Sequence, residues 1–259
     1  MPAFIHATSI VHTNAQIGDG CHIGPFCTIG ENVILGRDVH LESHIVVDGR
    51  TIIGDETHVF PFVSIGLAPQ DLKYAGEDTA VAIGKRNQIR EFVTVHRGTS
   101  GGGGLTKIGD GNLLMAQSHI AHDCKLGHEI IMANAATLAG HVEIADRANV
   151  GAYSGVHQFC RIGREAFVGG YSVVVKDAPP FAVIQGNHAK CYGLNRVGLR
   201  RRGYPKETIE KLHHAYHLLL SSKLNTTQAL KKIKEEITGC EEVDLVVSFY
   251  ESSKRGVVK

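Results

Sequence analysis

Histidine, aspartate and glycine residues occupy related positions between residues 119 and 157 of this chain. His122 and Gly140 are separated by eighteen positions, and so are Asp123 and His141. A neutral histidine acts as a general base near neutral pH, and a neighbouring carboxylate can fix its tautomer and stabilise the imidazolium. A glycine beside that base can donate its backbone N–H to a developing oxyanion. The set therefore fits base catalysis.

The same residues also fit a second chemistry, the binding of a metal ion. His119 and His157 lie beside the same positions, so four histidines gather there. Three histidines can bind zinc, as in the trimeric β-helix carbonic anhydrases, whose zinc lies at a subunit interface. A solvated polar corner without either activity is the third interpretation. Spacing alone does not choose between the base and the metal.

A hexapeptide repeat must position these residues. An aliphatic residue recurs at every sixth position from Ile5 to Ile65, from Ile83 to Val95 and from Ile108 to Val174, and glycine often follows it. Short fixed repeats are typical of solenoid proteins. Because side chains alternate along a strand, the aliphatic residue and a small residue two positions earlier face inward together. Three such strands close one coil, so a spacing of three hexads stacks His122 on Gly140.

The repeat predicts an all-β protein, a parallel β-helix over residues 1–190, with coils stacked about 4.8 Å apart. Two stretches break the aliphatic row, residues 66–82 and residues 97–107, and both must loop out of the β-helix. Loops that interrupt a regular scaffold are often functional. From residue 191 the spacing becomes helical, which predicts a C-terminal α-helical domain over residues 191–259. Its apolar faces comprise Ile209, Leu212, Tyr216, Leu219 and Leu220, then Leu230, Ile233 and Ile237.

Composition argues against several classes of protein. The net charge of +1 argues against binding of nucleic acid. No apolar run approaches the roughly 18 residues that a membrane span needs, and the first residues do not resemble a signal peptide. We therefore expect a cytoplasmic protein without a transmembrane segment. Four cysteines fall on the small inward row, where they are expected to be buried thiols rather than disulfides: Cys21, Cys27, Cys124 and Cys160.

Eight short segments resemble one family closely. They are QDLKYAGE (70–77), HRGT (96–99), GGGLTK (102–107), HIAHDC (119–124), TLAGHV (137–142), VHQFC (156–160), QGNHA (185–189) and RRGY (201–204). The family is the acyl-carrier-protein-dependent UDP-N-acetylglucosamine O-acyltransferases, which begin lipid A synthesis in Gram-negative bacteria. The resemblance covers essentially the whole chain, and it implies that the β-helix is left-handed, an exception to the right-handed crossover rule.

The resemblance also implies a mechanism. His122 would take the proton from the sugar 3-hydroxyl, which attacks the thioester of an (R)-3-hydroxyacyl carrier protein. Asp123 would orient His122, and the Gly140 N–H would stabilise the oxyanion. The implied substrate contacts are Gln70, Asp71, Lys73, His119, His141, His157, Gln158, Asn195 and Arg201. The implied end of the acyl-chain groove is formed by Gly170 and His188.

The partners implied by the resemblance are the acyl carrier protein, UDP-N-acetylglucosamine and two further copies of the chain in a homotrimer. The carrier-protein thioester is a co-substrate, and no cofactor or metal is implied. A long acyl chain, on the order of fourteen carbons, is implied by the family. Val197 stands where relatives often carry an acidic residue. A basic cluster can steer the acidic carrier protein or simply solubilise a helix: Arg196, Arg200, Arg201, Arg202 and Lys206.

Three alternatives accompany this interpretation. The paralogous N-acyltransferase of the same pathway has a sizeable domain before its hexads, whereas the hexads here begin at Ile5. A trimeric zinc enzyme of the carbonic anhydrase type would use the histidines as ligands. A β-helix that only binds a nucleotide sugar would have no catalytic base.

Overall fold

The chain folds into a triangular prism of β-strands that continues into four helices. A computed structural model describes all 259 residues. The strands form three sheets, called faces A, B and C below, and successive strands of the repeat visit the three faces in turn. This arrangement is a parallel β-helix, as the hexapeptide repeat predicts.

The strand bounds show how short each repeat is. Face A consists of β1 (Phe4–Ile5), β4 (His22–Ile23), β7 (His40–Leu41), β10 (His58–Val59), β13 (Gln88–Ile89), β16 (Leu113–Leu114), β19 (Ile131–Met132), β22 (Asn149–Val150), β25 (Phe167–Val168), β27 (Ala182–Gln185) and β28 (Lys190–Leu194). Face B consists of β2 (Ile10–Val11), β5 (Thr28–Ile29), β8 (Val46–Val47), β11 (Ser64–Leu67), β14 (Thr94–His96), β17 (His119–Ile120), β20 (Thr137–Leu138), β23 (Gly155–Val156) and β26 (Val173–Val174). Face C consists of β3 (Gln16–Ile17), β6 (Val33–Leu35), β9 (Arg50–Ile53), β12 (Ala80–Ile83), β15 (Leu105–Ile108), β18 (Lys125–Leu126), β21 (Glu143–Ile144) and β24 (Arg161–Ile162).

The aliphatic row forms one continuous core. Every hexad residue from Ile23 to Val174 is buried. Ile5 remains 44% exposed because the first coil has no coil beneath it. The four cysteines of the small row are buried free thiols, as expected from their inward positions. The coils pair in parallel, for example His22 with His40 and Ile120 with Leu138, so residues separated by three hexads lie side by side.

Corner residues take the left-handed backbone conformation although few of them are glycine. Asp123 has φ 60° and His141 has φ 62°, and sixteen other non-glycine residues share this region. The conformation is uncommon for residues that carry a Cβ. Here it turns the chain from one face to the next, and two of the expected site residues are such corner residues.

The two interruptions leave the prism on neighbouring coils. The chain departs after β11, which ends at Leu67, and returns at Ala80 with β12. It departs again after His96 and returns at Leu105 with β15, after one 3₁₀ turn over Ser100–Gly102. Both excursions are shorter than the broken aliphatic row indicates, because Ala80 pairs with Arg50 and Leu105 pairs with Ala80 before the next inward position.

The helical segment packs against the last coils. Its helices are α1 (Arg196–Arg201), α2 (Lys206–Leu220), α3 (Thr226–Glu236) and α4 (Glu241–Glu251). The capping box of Asn225 and Gln228 begins α3, and Ile237 ends it. Arg161 fastens α4 to the prism, since its guanidinium donates to the Phe249 carbonyl at 3.0 Å and pairs with Asp177 at 3.0 Å. None of the helices has the length and hydropathy that crossing a membrane requires.

Candidate active site

A histidine–aspartate pair lies at the corner between faces B and C. His122 Nδ1 is 2.8 Å from Asp123 Oδ2, a contact that sequence spacing does not establish. The Asp123 side chain is fully shielded from solvent, whereas 15% of the His122 side chain is exposed. The carboxylate accepts the Nδ1–H of His122, which leaves the lone pair on Nε2. This tautomer is the one that a general base needs.

The second excursion holds the Asp123 carboxylate. The Thr99 N–H donates to both oxygens at 3.0 and 3.1 Å, and the Thr99 hydroxyl donates to Oδ2 at 2.6 Å. The Asp123 N–H in turn donates to Thr106 Oγ1 at 2.8 Å. A Cβ on Gly102 would lie 2.0 Å from Asp123 Cγ, so only glycine lets the loop close here. Thr99, Thr106 and Gly102 are not among the site residues that the sequence predicts, although the interruption itself is a signal.

Gly140 lies against the imidazole of His122. A Cβ at this position would be 2.5 Å from His122 Cε1 and 2.7 Å from Nε2. The Gly140 N–H donates to no acceptor within the chain, while the Gly140 carbonyl accepts from the Phe159 N–H at 3.2 Å. A free backbone N–H on a residue packed against the base can stabilise an oxyanion.

His141 completes this corner. Its Nδ1 is 4.0 Å from Asp123 Oδ2, and its ring stacks on Phe159 with centroids 4.4 Å apart. Burial lowers the pKa of His141, while the charge of Asp123 and, more weakly, that of Asp71 act in the opposite direction. The structure therefore brings His122, Asp123, Gly140 and His141 together, as the spacing of three hexads predicts.

Two further histidines extend the cluster along face B. His119 Nδ1 is 2.7 Å from Thr94 Oγ1, and its ring meets His96 edge-on with centroids 5.1 Å apart. Burial lowers the pKa of His119 to about 4, and the neighbouring His96 and His122 add to this effect. His96 is buried, and its Nδ1 has no hydrogen-bond partner. The spacing misses His96 because the second excursion lengthens the coil between Thr94 and its register partner His119.

The two excursions are tied to each other. Arg97 donates to the Tyr74 hydroxyl at 2.8 Å, and the Ser100 hydroxyl donates to Glu77 at 3.0 Å. Within the first excursion, Asp71 accepts from the Lys73 N–H at 3.0 Å. The expected substrate residues Gln70 and Lys73 are exposed at the rim of this paired loop.

A groove of about 440 Å³ opens next to the corner. Its lining includes Asp123 and His141 together with side chains of both charges, among them Lys125, Glu143, Asp177, Lys254 and Arg255. The expected residues His157 and Gln158 lie on the next coil and are exposed.

Known proteins share this architecture and sequence. A family model described as UDP N-acetylglucosamine O-acyltransferase, domain 2, matches residues 177–258, and a bacterial transferase hexapeptide model of six repeats matches residues 3–31. The UDP-N-acetylglucosamine O-acyltransferase (LpxA) of Moraxella catarrhalis is 42% identical, with complete coverage of both chains and a TM-score of 0.96. The chain belongs to the UDP-N-acetylglucosamine O-acyltransferase family.

Relatives from distant organisms agree with this assignment. The acyltransferase of Bacteroides fragilis is 37% identical over 99% of this chain and 100% of its own, with a TM-score of 0.97. The Arabidopsis acyltransferase is 34% identical over 99% and 100%, with a TM-score of 0.87. The fold of this acyltransferase is accordingly the left-handed parallel β-helix with a helical C-terminal domain, as expected.

Asn195 has a structural function in this acyltransferase. It is the N-cap of α1, where its Oδ1 accepts from the Gly198 N–H at 3.0 Å and its Nδ2 donates to the Glu165 carbonyl at 3.3 Å. Arg201 is exposed at the end of the same helix. Glu165 is itself a corner residue between faces C and A, so within one chain these residues are not brought to the His122 corner.

The basic cluster of this segment is divided. Arg202 pairs with the buried Glu165 at 2.9 Å and with Glu129 at 3.6 Å, so it anchors α1 to the prism. Lys206 pairs with Glu210 within α2. The remaining members make no ion pair within the chain: Arg196, Arg200 and Arg201.

The expected groove residues lie near the last coils. Gly170 follows β25, and a Cβ there would be 3.3 Å from the Ala152 carbonyl oxygen, a contact that a small shift relieves. His188 is exposed in the turn between β27 and β28, which extend face A beyond β25. Val197 is 61% exposed.

Proposed function

We propose that this chain transfers an (R)-3-hydroxyacyl group from acyl carrier protein to the 3-hydroxyl of UDP-N-acetylglucosamine, the first step of lipid A biosynthesis, in the cytoplasm. Membership of the acyltransferase family gives the reaction class. The observation that carries the mechanism is the position of Gly140, which packs against the imidazole of His122 and has an unpaired N–H.

Each of the three residues has one task in this mechanism. His122 Nε2 takes the proton of the sugar 3-hydroxyl as its oxygen attacks the thioester carbonyl. The Gly140 N–H stabilises the oxyanion of the tetrahedral intermediate, and the Asp123 carboxylate stabilises the imidazolium. When the carbon–sulfur bond breaks, the imidazolium returns the proton to the carrier-protein thiolate. The ester is formed, and His122 is neutral again.

The hydrogen bonds of Asp123 support base catalysis over zinc catalysis at this corner. Its two oxygens already accept from the Thr99 N–H, the Thr99 hydroxyl and His122. A zinc ion would have to displace these donors from a fully shielded carboxylate. We therefore assign no metal or cofactor to the reaction, with the carrier-protein thioester as co-substrate.

The acceptor sugar would bind along the rim of the first excursion and the neighbouring coils. Asp71 and Lys73 suit the hydroxyl and amide groups of the glucosamine, with Gln70, His119 and His141 beside them. The first excursion supports this position, because Arg97 and Ser100 tie it to the loop that covers Asp123. His157 and Gln158 are exposed on the next coil, where they can contact acceptor or nucleotide groups.

The acyltransferase would act as a homotrimer with its sites between subunits. Within one chain, Arg201 lies at a different corner from His122, so a second copy must supply it if it binds the nucleotide. Leu72 is fully exposed between Asp71 and Lys73, which suits contact with a neighbouring subunit. The unpaired basic residues of α1, Arg196, Arg200 and Arg201, would attract the acidic carrier protein.

The acyl chain would extend toward the last coils, where Gly170 and His188 end the groove. Gly170 has no side chain that would shorten the groove, which favours a long acyl chain. By the family resemblance, we propose a donor acyl chain of about fourteen carbons.

Mass spectrometry of the product tests the proposed function. The purified protein is incubated with UDP-N-acetylglucosamine and a mixture of hydroxyacyl carrier proteins, and the product should be UDP-N-acetylglucosamine esterified at the 3-hydroxyl. If only a 3-amino analogue of the nucleotide sugar is acylated, the acceptor is an amino sugar instead. Binding of the nucleotide sugar without any acylated product would leave a binding protein and refute the catalytic assignment.

A further inference from the structure

A second cluster of histidines and a carboxylate lies on face A, several coils before the catalytic corner. His40 belongs to β7, His58 belongs to β10, and Glu42 follows β7 directly. His40 and His58 are register partners on adjacent coils, so their side chains leave the sheet side by side. Nothing in the acyl-transfer mechanism uses these residues.

The donor atoms of this cluster converge. Glu42 Oε1 is 2.8 Å from His58 Nε2 and 3.6 Å from His40 Nε2. All three ligand atoms lie within 4.8 Å of one another. Around a tetrahedral zinc ion with bonds of about 2.0–2.1 Å, neighbouring ligand atoms stand roughly 3.3 Å apart. Small side-chain rotations therefore suffice to place one ion among the three.

Stacking holds the two imidazoles in this orientation. The rings of His40 and His58 are tilted by 31° with centroids 4.5 Å apart, and His22 packs against the other side of His40 at the same distance. Phe60 stacks on His58 at 4.2 Å. Such packing reduces the rotamer entropy that binding an ion would cost.

The Glu42 carboxylate is available to an ion. Its only hydrogen-bond partner is His58, and 40% of its side chain is exposed. The side chains of His40 and His58 are 41% and 36% exposed, so an ion and its water can enter from solvent. A metal replaces the proton that His58 and Glu42 share, as metal binding by histidine commonly does.

We propose that His40, Glu42 and His58 form a binding site for a divalent ion of the zinc class, with water in the fourth position. Two histidines and one glutamate are an established zinc ligand set, and nitrogen-rich sites also accept Cu²⁺ and Ni²⁺. Because the ligands come from two coils, the ion joins β7 to β10 and stabilises the N-terminal part of the prism.

Zinc titration of the untagged full-length protein tests this site by calorimetry. Wild type should bind one Zn²⁺ per chain. His58→Asn should weaken binding by about tenfold or more, because even the loss of a residue that only supports a metal ligand weakens binding by about tenfold. The matched control is His44→Asn, because His44 is a stacked histidine on the neighbouring corner outside the cluster. Equal binding by wild type and His58→Asn would overturn the proposal, as would no binding by wild type.

Two further variants separate the ion from its alternatives. Glu42→Gln keeps an oxygen that accepts from His58 but removes the charge, so added Zn²⁺ should raise the melting temperature of wild type and not of this variant. An equal rise in both proteins would overturn the proposal. His141→Asn alters only the catalytic corner and should retain the Zn²⁺ on face A. Loss of binding in His141→Asn would place the ion at the other cluster and overturn the assignment.

Discussion

The chain contains two clusters of two histidines and one carboxylate, and their surroundings favour different chemistry. At the His122 corner, Asp123 is fully shielded and accepts hydrogen bonds from Thr99 as well as His122. On face A, Glu42 is 40% exposed and bonded only to His58. A saturated, shielded carboxylate orients a base, whereas an open one remains free for a cation. The difference lies in the second excursion, which covers one cluster and not the other.

The largest expected effect comes from removing the base. His122→Asn should lower kcat by roughly 10²–10⁴-fold with little change in KM, because the proton of the attacking hydroxyl loses its acceptor. His58→Asn, in the other cluster, should keep its turnover. Steady-state kinetics with the hydroxyacyl carrier protein measure both. Near-normal turnover by His122→Asn would refute the assigned base, and the contrast between the two clusters would no longer hold.

Gly140→Ala should lower kcat by about 100-fold, the loss typical of a disturbed oxyanion donor. The new methyl group would lie 2.5 Å from His122 Cε1, so the imidazole or the oxyanion N–H must move. Gly155→Ala is the matched control, since a Cβ at Gly155 meets no atom within 4 Å. If both variants keep wild-type kcat in the same assay, Gly140 has no part in stabilising the oxyanion.

Thr99→Val tests whether the covering loop makes the difference between the clusters. The change deletes the hydroxyl that donates to Asp123 at 2.6 Å and keeps the shape of the side chain. A hydrogen bond to a charged group contributes about 1.5–3 kcal/mol, so kcat should fall roughly tenfold or more. Thr28→Val, on the exposed surface of β5, is the control. An unchanged kcat for Thr99→Val would mean that burial and the Thr99 N–H suffice to orient Asp123.

Gly170→Met should shift the donor preference toward shorter acyl chains. Each methylene that loses its place in the groove costs about 0.8 kcal/mol, which is roughly fourfold in kcat/KM. Competition between hydroxyacyl donors of different length measures the ratio. The donor profile of Gly155→Ala should equal that of wild type. An unaltered profile in Gly170→Met would remove Gly170 from the groove.

The smallest expected effect is on the pH dependence of stability. An unfolded histidine binds its proton near pH 6.5, whereas the pKa of His119 in the folded chain is about 4. The unfolded state therefore binds more protons between these values, and the free energy of unfolding should fall as pH drops from 6.5 to 4. After allowance for its partial exposure, His119 should account for about 1 kcal/mol of this fall.

Thermal melting of His119→Gln and the exposed control His44→Gln across this pH range measures the contribution. Only the His119 variant should lose less stability than wild type as the pH falls. Parallel curves for all three proteins would mean that His119 is not shielded enough to matter.

The repeat makes much of the catalytic corner predictable. Because parallel coils stack residues that are three hexads apart, the sequence places Gly140 on His122 and His141 on Asp123 before any coordinates are known. That prediction fails where an excursion changes the coil length, which is why the spacing misses His96. It misses Thr99 and Thr106 for a related reason: a loop outside the repeat has no period, so its contacts cannot be counted along the chain.

The helical segment shows a different limit. The apolar spacing predicts α2 and α3, but the use of each polar side chain depends on its neighbours. Asn195 caps a helix, and Arg202 pairs with Glu165, a partner from a distant coil. Neither contact follows from composition, because both depend on how the helices dock onto the prism.

The β-helix, the columns of its corners and the family can all be read from the repeat and the motifs. These features are periodic or local, and strands that pair in a fixed register extend them along the whole chain. Which histidine–carboxylate cluster is covered and which is open depends instead on the packing of the loops. Burial and hydrogen-bond saturation are properties of the packed loops around a residue, and they decide whether a carboxylate serves a base or is available to a metal ion.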